Sequence, residues 1–371
     1  MNFIEKLLDG VEVEWKPLDQ VAKIKHGKDW KGLDAGDVPV YGSGGIMEYV
    51  DTYSYNKPTV LIPRKGSITN IFYVEKPFWN VDTIFYTEID TSKIIPKYLY
   101  HFIKTIDLMS LDAGSGRPSL TQAILNKILI PIPCPENPEK SLTIQAEIVR
   151  ILDTFTELTA ELTAELTARK KQYNDYRDQL LSFEDGGVEW KTLGELCSIN
   201  VGQAPAGNEI GEYPFVNAGT TPSGYVPAYN TEPDTITTPS RGQGGIGYVG
   251  YQTSRFWCGP LCYRIRSTTE IITTRFLYHV MANATKDIVG LANMTGVPAL
   301  NKKELVGFPV PTPPPDEQAR IVAILDKFDA LTNSLTEGLP REIALRQQQY
   351  AYYRDLLFAF PKDEGTTDER R

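Results

Sequence analysis

Residues 148–155 read Ile-Val-Arg-Ile-Leu-Asp-Thr-Phe, and residues 321–328 read Ile-Val-Ala-Ile-Leu-Asp-Lys-Phe. Further matches lie outward from these stretches, in the same order and at nearly the same spacing. They pair Val13-Glu14-Trp15-Lys16 with Val188-Glu189-Trp190-Lys191, Leu99-Tyr100-His101 with Leu277-Tyr278-His279, residues 116–120 with 296–300, and residues 172–178 with 349–355. Collinear matches at one spacing are the signature of an internal repeat. The chain therefore contains two copies of one architectural unit.

The first copy ends in a segment whose apolar residues advance by alternating steps of four and three, which is typical of a coiled-coil seam. These seam residues are Ile144, Ile148, Ile151, Phe155, Leu158 and Leu162, resumed by Tyr173, Tyr176, Leu180 and Phe183. Residues 158–169 repeat the pattern Leu-Thr-Ala-Glu, ending in Leu-Thr-Ala-Arg. Each four-residue unit is about one helical turn, so we interpret this tract as a spacer of adjustable length.

The second copy repeats the seam through Val322, Leu325, Phe328, Leu335, Tyr350, Tyr353 and Leu357. Gly338-Leu339-Pro340 interrupts it, and the proline predicts a kink or a break because it removes a backbone donor. An ordinary two-helix hairpin on its own domains would give the same pattern. We favour pairing of the two long helices, because two seams in one chain otherwise lack partners.

The globular part of each copy is rich in Gly, Pro, Tyr and Thr, with short β-branched runs between turn signals, and is predicted to be mostly β. Residues 131–133 and 309–311 both alternate proline with an aliphatic residue. Proline favours extended backbone and cannot continue a helix, so these segments should close the globular parts as stiff, extended chain.

The 371 residues are enough for two domains with real cores, and the four cysteines are too few for a secreted disulfide framework. No leader peptide opens the chain and no apolar run is long enough for a membrane span, so we expect a cytoplasmic protein without membrane contact. The net charge of −9 argues against a nucleic-acid partner at first sight. The acidic excess, however, lies in the helical segments and termini, and both globular parts are nearly neutral.

Several motifs do not support an enzymatic or metal-binding function. Residues 242–247 fit the dinucleotide pattern, but the sequence continues as strand and turn instead of a helix. Cys258 and Cys262 have no second pair at ligand spacing, and the repeated His101 and His279 are interpreted as core residues. A Walker-type loop and the Pro-Pro-aromatic tetrapeptide of adenine methyltransferases are both absent. We therefore predict that the chain holds no catalytic site, metal or cofactor.

The alternation of globular region, Pro-rich exit and helix, repeated once, resembles the specificity subunits of type I restriction-modification enzymes over residues 3–360. Residues 141–153, their echo at 316–326, and the Leu-Thr-Ala-Glu repeats carry the resemblance, and the repeats are similar to those of the type IC subgroup. The resemblance implies that the globular regions are target-recognition domains for a bipartite double-stranded DNA target. It also implies an antiparallel coiled coil, two docked modification subunits, and restriction subunits held through the complex. S-adenosylmethionine, ATP and Mg²⁺ would then be used by the other subunits.

The predicted fold is therefore α+β: two mostly β target-recognition domains separated by two long helices that form an antiparallel coiled coil. A pseudo-twofold axis would relate the two domains, matching DNA half-sites about one turn, ~34 Å, apart. The predicted divisions are an N-terminal helical segment (1–13), recognition domain 1 (14–140), a central helix (141–183), recognition domain 2 (184–315), a C-terminal helix (316–360) and a disordered tail (361–371).

Candidate DNA contacts are polar and basic residues beside glycines at predicted β-turns, where backbone can approach phosphate and side chains can reach base edges. They are Ser43, Arg64, Lys65, Ser67 and Arg117 in the first domain, and Thr220, Thr221, Ser240, Arg241, Gln243 and Thr295 in the second. Arg64 and Arg241 follow similar strand-proline contexts and are predicted to be equivalent. The alternative is that these are ordinary solvated turn residues.

Two other classes of function stay open on the sequence. A methyltransferase of unrecognised fold would bind S-adenosylmethionine as an isolated chain, and we expect no such binding. A coiled-coil scaffold would assemble partners while its globular parts showed no preference for any DNA sequence.

Overall fold

The computed structural model describes residues 10–112, 118–183, 187–207, 209–334 and 337–361. The chain divides into two compact units. Unit 1 comprises Met1–Leu162 and Ile343–Arg371, and unit 2 comprises Thr163–Glu342. Each unit therefore combines one globular part with helical segments from two separate places in the sequence.

The described residues in the globular part of unit 1 form three sheets, with strand orders β2-β8-β5-β6, β4-β3-β7 and β1-β9. The elements are β1 (Val13–Pro17), β2 (Ala22–Lys25), β3 (Ala35–Gly42), β4 (Gly45–Val50), β5 (Thr59–Pro63), β6 (Phe72–Val74), β7 (Trp79–Asn80), β8 (Ile84–Ile89), α1 (Pro96–Ile103), α2 (Gln122–Leu125), β9 (Leu129–Pro133) and the long helix α3 (Pro138–Leu180).

Unit 2 repeats this topology sheet by sheet, with strand orders β11-β17-β14-β15, β13-β12-β16 and β10-β18. Its further elements are β10 (Glu189–Thr192), α4 (Leu193–Leu196), β11 (Cys197–Val201), β12 (Tyr213–Val216), β13 (Gly224–Val226), β14 (Thr235–Pro239), β15 (Gly250–Gln252), β16 (Trp257–Cys258), β17 (Cys262–Ser267), α5 (Thr274–Asn283), α6 (Thr285–Gly290), α7 (Lys302–Val306), β18 (Pro309–Thr312) and α8 (Pro315–Asn333). The last helix, α9 (Gly338–Leu357), begins in unit 2 and ends in unit 1. The repeat predicted from the sequence and the α+β class are thus confirmed.

Strands β5 and β14 lie inside the main sheets, and every residue of both is buried. Their sequences, Thr-Val-Leu-Ile-Pro and Thr-Ile-Thr-Thr-Pro, are rich in β-branched residues, which favour a pleated buried strand. Each ends in a proline, Pro63 or Pro239, which has no N–H for a further ladder bond. The two prolines therefore mark equivalent points at which the chain leaves the sheet.

The Pro-rich exits are extended, as the sequence predicts. They form β9 and β18, and each pairs antiparallel with the strand that opens its own repeat. Trp15 lies opposite Pro131 and Trp190 lies opposite Pro311. This pairing ties the start of each globular part to its end, directly before a helix begins.

The predicted interruption of the second helical segment is confirmed, because α8 ends at Asn333 and α9 begins at Gly338. Gly338 has a φ of +76°, and a Cβ there would lie 2.4 Å from the carbonyl oxygen of Ala330. Only glycine fits this position. The predicted seam residue Leu335 lies outside the described residues.

The helical seams meet within each unit. In unit 1 the ring of Phe155 stacks on Tyr353, with centroids 5.2 Å apart, and in unit 2 Tyr176 stacks on Phe328 at 5.6 Å. The first part of α3 therefore pairs with α9, and its last part pairs with α8. The same helices also pack on the globular parts, since Ile148 and Ile321 belong to the respective cores.

Polar contacts join each globular part to its helix, and we name these sets junction A (Lys97, His101, Gln145, Asp153, Tyr350) and junction B (Arg275, His279, Gln318, Asp326). In junction A, Gln145 Oε1 accepts from the Ile95 N–H at 2.8 Å and Gln145 Nε2 donates to the Lys93 carbonyl at 3.0 Å. In junction B, Gln318 Oε1 accepts from the Thr273 N–H at 3.0 Å and Gln318 Nε2 donates to the Ile271 carbonyl at 2.7 Å.

The second contact in junction A centres on a carboxylate. Asp153 Oδ2 lies 2.7 Å from Lys97 Nζ, and Asp153 Oδ1 lies 2.9 Å from His101 Nε2. Burial would raise the pKa of Asp153, but the hydrogen bonds from His101 and Lys97 lower it overall. Burial lowers the pKa of His101, which keeps the ring neutral at pH 7. An ionised carboxylate only accepts, so Nε2 carries the proton and Nδ1 accepts from the Tyr350 hydroxyl at 2.9 Å.

Junction B repeats the carboxylate contact. Asp326 Oδ1 lies 2.8 Å from Arg275 Nε and 2.7 Å from His279 Nε2. Burial lowers the pKa of His279 as it does that of His101. His279 Nδ1 is buried and has no hydrogen-bond partner among the described residues. The interpretation of both histidines as core residues is confirmed by their near-complete burial.

Three predictions from the sequence concern residues that lie wholly or mostly outside the described ranges. The N-terminal segment (1–13) is described only from Gly10, the tail (361–371) only at Pro361, and Arg117 lies outside the described residues. Within the described ranges, no helix is both long and apolar enough to cross a membrane.

Candidate nucleic-acid interface

Loop A, residues 64–70, follows β5 and contains three of the predicted contact residues, Arg64, Lys65 and Ser67. Its backbone is held on two sides. The Arg64 N–H donates to the Thr83 carbonyl at 2.8 Å, and the Arg64 carbonyl accepts from the Leu120 N–H at 2.8 Å. Gly66 has a φ of +84°, a conformation that glycine adopts more readily than other residues. Its N–H donates to the Pro118 carbonyl at 3.2 Å.

Loop B, residues 240–247, follows β14 and is held by the same pattern of bonds. The Ser240 N–H donates to the Leu261 carbonyl at 2.8 Å, and the Ser240 carbonyl accepts from the Leu300 N–H at 2.9 Å. Gly242 has a φ of +122°, and its N–H donates to the Pro298 carbonyl at 3.0 Å. The two loops are therefore built on one backbone frame.

This frame corrects the predicted equivalence of Arg64 and Arg241. Lys65 forms an isolated bridge with Ser119, and Arg241 forms the matching bridge with Ala299. Arg64 occupies the position of Ser240, one residue earlier. Successive side chains in extended backbone point to opposite sides, so Arg241 shares its direction with Lys65 and not with Arg64.

A hairpin turn packs against each loop. In unit 1 the turn between β3 and β4 carries Ser43, whose carbonyl accepts from Asn70 Nδ2 at 3.1 Å. A Cβ on Gly66 would lie 3.2 Å from Ser43 Oγ. In unit 2 the β12–β13 connection carries Ala218, and a Cβ on Gly242 would lie 3.5 Å from the Ala218 side chain. The approach of the hairpin is thus tight at Gly66, whereas at Gly242 the positive φ and not the space favours glycine.

The structure brings the predicted residues of unit 1 together, since Ser43, Arg64, Lys65 and Ser67 all lie on loop A or the turn against it. In unit 2 the corresponding group contains Ser240, Arg241 and Gln243 on loop B, with Thr220 and Thr221 on the neighbouring hairpin connection. Thr295 lies between Asn293 and Ala299, which bond to each other at 2.8 and 3.0 Å next to loop B. Sequence distance concealed this proximity.

The candidate contact residues of the two units differ in solvent exposure. Ser43, Arg64 and Ser240 are half-buried, whereas the remaining described candidates are exposed, namely Lys65, Ser67, Thr220, Thr221, Arg241, Gln243 and Thr295. Neither Lys65 nor Arg241 makes an ion pair with another residue that the structure describes. Unpaired cations at an exposed loop can neutralise phosphate or donate to base edges.

The hairpins also carry a matched pair of tyrosines that was not predicted from the sequence. Tyr49 on β4 lies opposite Pro39 and is 48% exposed, and Tyr225 on β13 lies opposite Pro214 and is 54% exposed. Ile46 and Met47 add exposed apolar surface to the hairpin of unit 1. The register of the hairpins places the two tyrosines at equivalent positions of the two repeats. An alignment of the repeats in this register could have revealed the pair.

The cysteines and the dinucleotide-like pattern were also singled out in the sequence. In the described part of the chain, no group of three or more His, Cys, Asp and Glu residues could hold a metal ion. Cys258 and Cys262 are buried, and the Cys258 thiol donates to the Cys262 carbonyl at 3.5 Å. The residues of the dinucleotide-like pattern, 242–247, form loop B and a turn before β15 rather than the start of a helix.

The chain is thus a tandem-repeat protein that carries the same loop-and-hairpin surface twice. Comparison with known proteins shows which family has this organisation. The model of the type I restriction modification DNA specificity domain matches residues 10–169 and again 186–345. The chain belongs to this family of specificity subunits.

Similar proteins span the whole chain. A type I restriction enzyme specificity subunit from Escherichia coli is 40% identical, over 99% of both chains. A putative type I specificity subunit from Haemophilus influenzae is 34% identical, over 97% of this chain and 98% of the relative. The crystal structure of the S subunit of a type I restriction-modification system from M. genitalium aligns with a TM-score of 0.69 at 20% identity, covering 98% of this chain and all of that one, and shows that the fold is shared.

Proposed function

We propose that this specificity subunit binds a bipartite double-stranded DNA target, with one half-site read by each globular part. The observation that supports this most directly is the shared backbone frame of loops A and B. The frame is the same in both units, while the exposed side chains on it differ: Lys65 and Ser67 on one, Arg241 and Gln243 on the other. A constant frame with variable side chains suits two readers of different sequences.

The two groups of candidate residues divide by chemistry. Arg241 and Gln243 can each make two hydrogen bonds to one purine edge, Arg to guanine and Gln to adenine. Lys65 carries a point charge that suits phosphate, and Thr220, Thr221, Ser67 and Thr295 can donate to phosphate or base. Arg117 joins this set as a prediction from the sequence.

The chain is proposed to act without a catalytic site of its own and to dock two modification subunits, with restriction subunits held through the resulting complex. S-adenosylmethionine, ATP and Mg²⁺ would be used by those subunits in the cytoplasm. The paired helical segments of α3, α8 and α9 offer the docking surface, because they lie outside the loops that would face DNA. We further propose that these segments form one antiparallel coiled coil, which would relate the two readers by a pseudo-twofold axis.

Exchange of a whole domain tests this function. Residues 14–140 would be replaced by the corresponding domain of another family member, and the chimaera would be combined with modification subunits. Mapping of methylated adenines should then show one new half-site and one retained half-site. The reciprocal exchange of residues 184–315 is the matched control and should change only the other half-site.

Three results would contradict the proposal. A change of both half-sites in either chimaera would exclude independent readers. Binding of the wild-type chain to DNA without any sequence preference would favour a scaffold, and binding of S-adenosylmethionine by the isolated chain would favour a methyltransferase.

A further inference from the structure

Junctions A and B each attach a globular part to its helix at two points. Gln145 and Asp153 lie on one helix, and Gln318 and Asp326 lie at the same separation on another. That separation is about 12 Å at 1.5 Å per residue, or a little over two turns. A body held at one point can rotate, whereas attachment at two separated points also fixes its direction.

The bonds at these points are directional, and those of the two glutamines are shielded from water, whereas Asp153 and Asp326 are partly exposed. Gln145 and Gln318 are fully buried, and each bonds both a backbone N–H and a carbonyl of the segment that precedes α1 or α5. Apolar contacts in the same interface, such as those of Ile148 and Ile321, hold the surfaces together without selecting an angle. Buried polar bonds do select one, because an alternative angle would leave them unmade.

The junctions stay alike where the rest of the repeats differ. Loops A and B carry different side chains, but the glutamine, aspartate, histidine and cation recur with the same partners. The nearby pair Glu147 and Arg150 lies on the same helix as junction A and is solvent-exposed at Arg150. Both residues lie on α3 and bond each other, so this ion pair does not join the helix to the globular part.

We propose that the two junctions are positioning elements that set the angle of each recognition domain on its helix and thereby the spacer length that the protein accepts between half-sites. This inference rests on the proposed reading of a bipartite target. A change of angle at a junction would displace the loops by an amount that grows with their distance from the helix. The junction residues themselves would contact no DNA.

The test uses the full chain with modification subunits and a plasmid library. The library carries both mapped half-sites with the wild-type spacer, one base pair fewer, or one base pair more. For Asp153→Asn and Asp326→Asn we expect methylation of the off-length spacers, relative to the wild-type spacer, to rise about tenfold, the factor that corresponds to loss of one charge-assisted hydrogen bond. The half-site sequences should be unchanged.

A second pair of variants covers the possibility that the aspartate variants do not fold. Lys97→Met and Arg275→Met remove the cation at the solvent-facing edge of each junction and keep an apolar side chain. Lys97→Arg should restore spacer discrimination, because it keeps the ion pair. Glu147→Gln is the control and should leave the spacer ratio at the wild-type value.

The outcomes separate this inference from the proposed function. If the wild-type protein methylates no bipartite target, the proposed function fails first. If it does, and folded Asp153→Asn, Asp326→Asn, Lys97→Met and Arg275→Met variants all keep wild-type discrimination between spacers, the positioning role is wrong. Altered bases within a half-site would also overturn it, since the junctions would then act on reading itself.

Discussion

Unit 1 and unit 2 share their sheet topology, the backbone frame of the loops and the two-point junctions, but they differ in the side chains at matching positions. Lys65 stands where unit 2 has Arg241, and Lys97 stands where it has Arg275. In junction A His101 Nδ1 bonds Tyr350, whereas the same atom of His279 lacks a partner among the described residues. Bonds made by backbone and carboxylate thus recur in both units, whereas the bond to the histidine Nδ1 is made in unit 1 and not among the described residues of unit 2.

The difference shows where such a duplicated protein can change without losing its fold. Backbone bonds such as Gly66 to Pro118 and Gly242 to Pro298 need no particular side chain, so the loop sequence can diverge while the loop stays in place. Four experiments test how far the two units are equivalent.

The largest effect is expected from lengthening the tract that separates the units in sequence. One Leu-Thr-Ala-Glu unit inserted after Glu165 adds about 6 Å of helix and rotates the residues beyond it by roughly 40° more than a full turn. At about 3.4 Å per base pair, the accepted spacer should lengthen by one or two base pairs, and methylation at the original spacer should fall to background. Both half-sites should survive.

Methylation mapping of the insertion variant gives the answer directly. An insertion of the same unit beyond α9, after Pro361, serves as the control and should change nothing. An unchanged spacer would mean that the tract is a solvated helix face without a measuring role.

The next effect concerns Lys65 and Arg241, which the frame makes equivalent. Arg241→Ala should cost about 1–3 kcal/mol of binding free energy and relax specificity at one base, if the guanidinium bonds a base edge. Lys65→Ala should weaken binding to all sequences alike and reduce the slope of log affinity against log salt by about one. Equilibrium binding at several salt concentrations measures both.

Arg64→Ala and Ser240→Ala are the matched controls, since those side chains are half-buried on the other side of the strand. Loss of specificity at one base in Arg64→Ala, together with unchanged binding in Lys65→Ala, would restore the equivalence of Arg64 and Arg241 first predicted from the sequence. Unchanged binding in both Lys65→Ala and Arg241→Ala would make them ordinary solvated turn residues.

A smaller effect is expected at the junctions. Tyr350→Phe removes the hydroxyl that bonds His101 and leaves a buried ring nitrogen unpaired, so it should reduce the free energy of unfolding by about 1 kcal/mol. Tyr173→Phe, its sequence counterpart in unit 2, should change stability by less than about 0.5 kcal/mol, because His279 Nδ1 accepts no hydrogen bond from any described residue. Denaturant titrations compare the two.

Tyr352→Phe, at an exposed position, controls for the loss of a hydroxyl in itself. Equal destabilisation by Tyr350→Phe and Tyr173→Phe would mean that the two junctions are energetically alike despite the difference in bonding.

The smallest effect is a loss of stability in mild acid. Both junction histidines have pKa values lowered by burial from the ordinary value of 6.5. Below pH 6.5 the unfolded chain therefore binds more protons than the folded chain, and stability falls as pH decreases. The thermal midpoint should be constant above pH 7 and decline between pH 6.5 and 5, and His101→Gln or His279→Gln should flatten the decline. A midpoint that rises over that range would contradict the assignment of neutral rings.

Prediction from the sequence was most successful for features that repeat along the chain. The duplication, the mixed α+β class, the extended proline exits and the break before Gly338 all follow from local patterns, because periodicity and proline act on neighbouring residues. The burial of His101 and His279 was also predictable, since both lie in a repeated apolar context.

The candidate nucleic-acid interface was harder to predict from the sequence. Which loops meet depends on contacts between distant residues, such as Gly66 with Pro118, and which side chains share a face depends on register. A register error of one residue reverses the direction of a side chain, which is why Arg64 was paired with Arg241 in place of Lys65. The tyrosines Tyr49 and Tyr225 were missed for the same reason.

The amino-acid sequence was thus sufficient to predict the architecture and the family of this chain. Repeats, helix seams and prolines can be recognised from residues that are close together in the sequence. Three features are visible only in the folded chain. They are the equivalence of Lys65 and Arg241, the contact of Ser43 with loop A, and the hydrogen-bond partners of Asp153 and Asp326. These features arise from strand register and from packing of residues far apart in sequence, and neither property can be read from any local pattern.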